Sequence, residues 1–384
     1  MSRKLADLHS HYPMHLLERQ RRGFSLRAAV MWIANRLDNY RSSTSGPRVD
    51  MEQLRRGGVQ LVLSVLYNPF SEIDLHRKYA SPPAASYPAE LFKQLKQVTD
   101  DVEAQGGAIV RTAAEFEAAI AAGKTAFVHC VEGGFHLGST PEEVRETVAE
   151  LAERGVAYIT LAHLFWRRVA TNAPAIPFLP DWLYNLVFRQ RTDEPLSELG
   201  SAAVRAMYEH HVLIDIAHMR ADAIEATFKL VEQLDRETGA APGEHPVIAT
   251  HVGMRLGRRA QKYNLDKKTV QRIAARGGVI GLIMAQHQLV KGVRRRNTRT
   301  LDESMPVIVE HLDTLRKWAN SDAVAAIGSD LDGFIKPTMG GIETAGDLAQ
   351  LGDRLEQQYG AAEATKILWG NVARVVGQAL ERRP

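Results

Sequence analysis

The stretch Leu5-Ala6-Asp7-Leu8-His9-Ser10-His11 reads as a short apolar strand that ends in two imidazoles. In an extended strand residues two apart share a face, so His9 and His11 project side by side. Two neutral imidazoles on one face of a strand end are a good beginning for a zinc-like divalent site. With 14 histidines in 384 residues, a lone His-x-His pair carries little weight. What matters is what the other strands bring to the same place.

Seven further runs, at 59–67, 125–130, 157–164, 212–217, 247–250, 279–284 and 324–328, are continuously apolar and rich in β-branched residues, as strands buried on both faces are. Helical patterns lie between them, for example at 141–154, 196–210, 222–238, 266–276 and 301–319. Glycine or proline stands where several of these helices must stop, as at Gly57-Gly58, Gly155, Pro246 and Gly277-Gly278. Strands alternating with helices predict a parallel sheet. Eight such units predict a closed (β/α)8 TIM barrel, with an open doubly wound sheet as the alternative. Two closing helices are expected at 344–359 and 361–380.

Two connections are longer than a barrel needs. One, 14–47 after strand one, contains an apolar helix-like piece at 28–37; the other, 165–198 after strand four, contains Phe178-Leu179-Pro180-Asp181-Trp182-Leu183-Tyr184. Both follow the C-terminal end of a strand, so both belong on the same rim, where long loops serve as lids, specificity walls or subunit contacts.

Composition narrows the class. The chain is 45% hydrophobic and 24% charged with a formal net charge of +3, as expected of a soluble globular protein with a substantial core. The basic clusters Arg19-Gln20-Arg21-Arg22, Arg258-Arg259 and Arg294-Arg295-Arg296 are scattered and carry no aromatic interleaving, so no nucleic-acid partner is expected. The single Cys130 excludes an internal disulfide framework. No apolar run approaches a membrane span, and Met1-Ser2-Arg3-Lys4 leads into no secretory h-region, so no membrane association and a cytoplasmic location are expected.

The strand ends then supply a ligand set. Strand three runs into Val131-Glu132-Gly133-Gly134, strand four ends at Leu161-Ala162-His163, strand five at Asp215-Ile216-Ala217-His218, and strand six at Ala249-Thr250-His251. Strand eight ends at Ile327-Gly328-Ser329-Asp330, followed by Leu331-Asp332-Gly333. Imidazoles and carboxylates gathered on one rim are costly to bury unless a cation compensates them. Two metals sharing one carboxylate fit this inventory, with Glu132 as the bridge, His9 and His11 on one ion, and His218 and His251 on the other. Such a pair lowers the pKa of a water held between the ions and polarises a carbonyl or phosphoryl oxygen.

In this order the motifs resemble the membrane (renal) dipeptidase family of zinc metallopeptidases. Arg56-Gly57-Gly58-Val59-Gln60 resembles the family's approach to strand two, and Trp369-Gly370-Asn371-Val372-Ala373-Arg374-Val375 its C-terminal helix, so the likeness runs from near residue 7 to near residue 376. The resemblance implies one metal-dependent hydrolase barrel domain over 1–384 that cleaves dipeptides at two Zn2+ ions bridged by Glu132, and a possible homodimer. It further implies that His163 hydrogen-bonds the oxyanion and that Asp330 shuttles the proton. The chain departs from the family at His11, where the family has an aspartate. It also offers Arg255, Arg258, Arg259 and Lys262 where the family grips the substrate carboxylate with one arginine; Lys262 is the nearest ungapped match. Two alternatives remain: an amidohydrolase- or phosphoesterase-type metal hydrolase on another small substrate, and a degenerate barrel that binds metal without turnover. The amidohydrolase form lacks its usual support here, because no lysine stands at a later strand end.

Overall fold

Eight strands pair in parallel in the order β1 (Leu5–Ser10), β2 (Val59–Leu66), β4 (Ala126–Glu132), β5 (Tyr158–Thr160), β6 (Leu213–Asp215), β7 (Val247–Val252), β8 (Ile280–Leu282), β9 (Ala325–Ile327). A two-residue strand that the sequence pattern does not reveal, β3 (Ala108–Ile109), pairs in parallel with the start of β4. These features belong to a computed structural model that describes residues 3–19, 47–73, 77–177, 179–333, 335 and 337–382. The apolar piece expected at 28–37, and most of the first long loop, lie outside the described residues.

Closure decides between the two expected architectures. Beyond the end of β9 the chain returns to β1: Asp330 N donates to His9 O at 2.9 Å, His11 N donates to Leu331 O at 3.1 Å, and Ser10 bridges Leu331 in parallel. An open doubly wound sheet would leave those edges apart. The molecule is therefore a nearly closed (β/α)8 barrel, as the eight-unit pattern predicts.

Several strands are shorter than their apolar runs, while β4 and β7 run on past theirs. Expected strand 157–164, for example, keeps ladder bonds only over Tyr158–Thr160, because its last residues turn onto the rim. The interior is buried along each of the eight barrel strands. Where β8 and β9 press on β7, the approach is so close that an added Cβ at Gly281 would stand 1.9 Å from Thr250 O, and one at Gly328 1.8 Å. Only glycine fits at these two positions.

The helices begin where their capping residues dictate. Thr140, Ser197, Asp266 and Thr300 each accept a backbone N–H three residues on, starting helices Pro141–Glu153, Glu198–Glu209, Lys267–Ala275 and Leu301–Ala319. The closing region matches its expected place, but the second helix is interrupted by a π-helical turn at Lys366–Gly370 between Ala361–Thr365 and Asn371–Glu381. Among the described residues, no helix is long and apolar enough to cross a membrane.

Candidate metal centre

Glu132 ends β4 with its carboxylate fully buried, and among the described residues no hydrogen bond of ordinary geometry reaches either oxygen. Instead five imidazole nitrogens face it. His9 Nε2 and His251 Nε2 lie 3.4 Å from Oε1 and His218 Nε2 3.6 Å from it, while His11 Nε2 is 3.2 Å and His163 Nε2 3.3 Å from Oε2. Asp330 Oδ1 completes the ring, 3.1 Å from His11 Nε2. The structure thus gathers His9, His11, Glu132, His163, His218, His251 and Asp330, which sequence reading drew from six separate strand ends.

Hydrogen bonds behind the rings fix which nitrogens face the centre bare. Four donors surround the Asp215 carboxylate: Thr160 Oγ1 at 2.5 Å, Thr250 Oγ1 at 2.6 Å, Ala217 N at 3.0 Å and Thr250 N at 3.0 Å. Thr250 therefore donates to Asp215 and offers only lone pairs to His9 Nδ1 at 3.0 Å and His251 Nδ1 at 2.8 Å. The Tyr158 hydroxyl likewise donates to Leu8 O and meets His9 Nδ1 at 3.0 Å. Both histidines therefore carry a proton on Nδ1, and in the neutral ring Nε2 is the bare nitrogen. A bare His9 nitrogen then faces a carboxylate oxygen, and bare His251 Nε2 stands 2.9 Å from His218 Nε2. A cation between them would satisfy electron pairs that converge in this way. The donor set fits a metal.

Electrostatics agrees. Burial works against charge on Glu132, but the neighbouring His163, His9 and His11 rings outweigh it and hold the carboxyl well below its usual range. Burial pushes His218 and His251 well below the usual imidazole value, His163 reinforcing it at His218 and His9 at His251, so both stay neutral as ligands must. Burial also opposes charge on His11, yet Asp330 and Glu132 raise it to about 10. The two carboxylates call for positive charge at that spot.

Several contributors carry no sequence signal that names them. Glu72, fully buried in the short helix Pro69–Glu72, takes His163 Nδ1 at 2.6 Å, the Tyr67 hydroxyl at 2.7 Å and Phe165 N at 2.8 Å. Asp7, two residues before His9, accepts from Ser329 N at 2.8 Å and Ser329 Oγ at 2.5 Å, so it ties β1 to the chain just past β9. Its carboxyl is pushed by burial to about 6. Asp215 and Thr250 stand inside motifs quoted above, yet their role as supports shows only once β6 and β7 are side by side. His218 (φ 62°) and Asp330 (φ 58°) adopt left-handed backbone conformations, strain of the kind that concentrates at functional sites.

Other candidates separate cleanly. Asp332 accepts Arg48 N and Val49 N, both at 2.9 Å, and acts as a loop clamp. His129 turns to Thr99 Oγ1 at 3.0 Å, away from the centre, and His311 joins Met254 N to Leu289 O. Arg255 uses its guanidinium on the carbonyls of Lys262 and Asn264. It nevertheless lines, with exposed Lys262 and Arg189 and half-buried Arg220, a cavity of about 570 Å³. That cavity adjoins the His218 backbone, whose carbonyl accepts Ala173 N at 2.7 Å.

A parallel barrel with histidine and carboxylate side chains collected at the C-terminal ends of its strands defines a metal-dependent hydrolase scaffold. The chain matches the family model for membrane dipeptidases (peptidase family M19) over residues 2–383 and belongs to that family. It is accordingly a metallo-dipeptidase of this zinc-dependent family. Solved structures of similar fold include a metallopeptidase of the family described as dipeptidase AC, with TM-score 0.73, 18% identity, and 99% of each chain covered. A metallopeptidase from Rhodobacter sphaeroides, solved with a phosphinate mimic of the dipeptide L-Ala-D-Ala, gives TM-score 0.73 and 18% identity over 99% of this chain and 100% of its own. A probable dipeptidase from Pseudomonas aeruginosa gives TM-score 0.65 and 18% identity over 92% and 99%.

Proposed function

We propose that this chain hydrolyses dipeptides at a binuclear zinc site in which His9 and His11 hold one ion, His218 and His251 the other, and Glu132 both. The observation that carries the reading is the buried, unpartnered Glu132 carboxylate ringed by imidazole nitrogens at 3.2–3.6 Å. When bound, the ions acidify the attacking water and polarise the scissile carbonyl.

The chain's own residues supply the rest. His163, anchored through Nδ1 to Glu72, presents Nε2 to the developing oxyanion. Asp330, with a carboxylate oxygen close to His11, takes the proton of the attacking water and passes it to the leaving amine. Lys262, with the Arg255-braced loop beneath it, faces the cavity beside His218 and meets the substrate's terminal carboxylate there.

Steady-state assays on a panel of dipeptides with added zinc test the proposal. Hydrolysis should be measurable for the wild type and absent in Glu132→Gln. Equal rates for the two proteins across the panel would remove it.

A further inference from the structure

The cavity beside His218 is lined by four cationic side chains, and among the described residues no carboxylate lines it with them. Two of the four are answered locally. Arg220 is tied to Asp222, its Nε 2.8 Å from Oδ1, while Arg255 spends Nε and Nη2 on backbone carbonyls and has Nη1 3.9 Å from Asp266 Oδ2. Lys262 and Arg189 differ. Both are exposed, and among the described residues neither has an ion-pair partner. Arg191, two residues from Arg189 and outside the cavity, is by contrast paired with Asp193 at 2.8 Å.

The substrate's terminal carboxylate answers one of these two free charges, at Lys262. Resting on the dipeptidase reading above, we propose that Arg189 receives a second negative charge, so that the enzyme selects dipeptides whose C-terminal residue is aspartate or glutamate.

The backbone holds both cations in register with the metal centre. The Gln190 side chain bonds both ways with Asn172, its Oε1 accepting Asn172 N at 2.8 Å and its Nε2 donating to Asn172 O at 2.9 Å. Asn172 bridges Met219, and Ala173 N donates to His218 O at 2.7 Å. On the other side of Arg189, the Phe188 ring packs against Phe165 and Tyr184 with centroids 4.9 and 5.0 Å apart. Arg189 therefore extends from a fixed point, one residue from a clamp on the segment that carries His218. Lys262 comes from another loop. The Tyr263 hydroxyl donates to His251 O at 2.6 Å, and Arg255 Nη2 donates to Lys262 O at 2.9 Å. Each free cation is thus set by a neighbour of one of the two histidines assigned to the same ion.

Two unanswered cations sharing one cavity repel each other, and a ligand with two negative charges relieves both. The α-carboxylate and side-chain carboxylate of one acidic residue lie a few bonds apart, so a single residue brings both charges together. The cavity, at about 570 Å³, has room for the side chain as well as the terminus. A guanidinium fork suits the second carboxylate because it offers paired hydrogen bonds.

The test compares near-isosteric substrates that differ in charge. Ala-Asp against Ala-Asn, and Ala-Glu against Ala-Gln, are assayed with zinc-loaded wild type, Arg189→Gln and Arg189→Lys, each checked for fold by circular dichroism. Wild type should favour the acidic member of each pair by about 10-fold in kcat/KM, the lower end for a hydrogen bond to a charged group. The difference should lie mainly in KM and shrink as salt is added. Arg189→Gln should bring the ratio close to one, and Arg189→Lys should restore part of it. Asp-Ala and Asn-Ala, which place the charge on the other residue, should not differ.

Equal kcat/KM within each pair overturns the inference and leaves the dipeptidase reading standing. So does a preference that Arg189→Gln leaves intact, or one of the same size for Asp-Ala over Asn-Ala. If no dipeptide is cleaved, the same pairs are titrated calorimetrically into wild type and Arg189→Gln. Tighter binding of the acidic member that depends on Arg189 then removes the hydrolytic reading alone, and an absence of selectivity removes both.

Discussion

Glu72→Gln isolates the contribution of a residue that touches neither metal nor substrate. Its carboxylate gathers three donors, the His163 ring at 2.6 Å, the Tyr67 hydroxyl at 2.7 Å and Phe165 N at 2.8 Å, in a fully buried setting. A glutamine keeps the shape but has one oxygen for those donors, and its NH2 must face one of them. The hydrogen bond most exposed to the change is the charge-assisted one to His163, worth about 1.5–3 kcal/mol. If His163 Nε2 stabilises the oxyanion, losing the anchor on Nδ1 raises the barrier by a like amount, so kcat should fall about 10- to 150-fold. KM should move little, because the ring meets the substrate oxygen mainly as it gains charge. Bound metal should be unchanged, since Glu72 contacts none of the four histidines proposed to hold it. The assay is steady-state dipeptide hydrolysis with elemental analysis on the same preparations. A folded, fully metallated Glu72→Gln enzyme with wild-type kcat would refute the reasoning about His163.

Three further outcomes follow from other parts of the structure. Gly328→Ala places a methyl 1.8 Å from Thr250 O at the centre of the barrel, so urea unfolding should show a loss of about 1–3 kcal/mol or more, and zinc affinity should fall because Thr250 orients His9 and His251. Stripping metal with a chelator should lower the melting temperature, and adding zinc back should restore it, because bare nitrogens and the Glu132 carboxylate then face each other without a cation. Stability should also decline in mild acid through buried histidines remote from the ligands. Burial lowers His129, helped by Arg111, to about 4, and lowers His311 to about 4. Their folded-state values lie below the unfolded value of about 6.5, so the unfolded chain binds the extra protons. Their contribution is complete above about pH 6.5 and lost as the pH falls toward 4, on the order of 3 kcal/mol per group. Chemical denaturation of the apo protein at stepped pH measures it; a flat profile across that window would contradict the assignment of these rings as neutral.

By itself the sequence determined the barrel and the histidines and carboxylates that gather on its rim. Continuous apolar runs alternating with helical patterns are local signals, and each of these residues falls at or just past the end of a run. His9, His11, Glu132, His163, His218, His251 and Asp330 were therefore legible as residues of one rim before any contact was known. Tertiary structure decided what each of them does there. The pairing of Glu72 with His163 joins a short loop helix to another loop, and no periodicity links them. Thr250 directs two imidazoles only because β1, β6 and β7 converge in the barrel interior. Asp330 and Asp332 look interchangeable in Asp330-Leu331-Asp332, yet one faces His11 and the other clamps the chain at Val49. Strand positions follow from residue type along the chain, whereas side-chain partners follow from barrel closure, which brings the first strand and the last together and makes His11 and Asp330 neighbours.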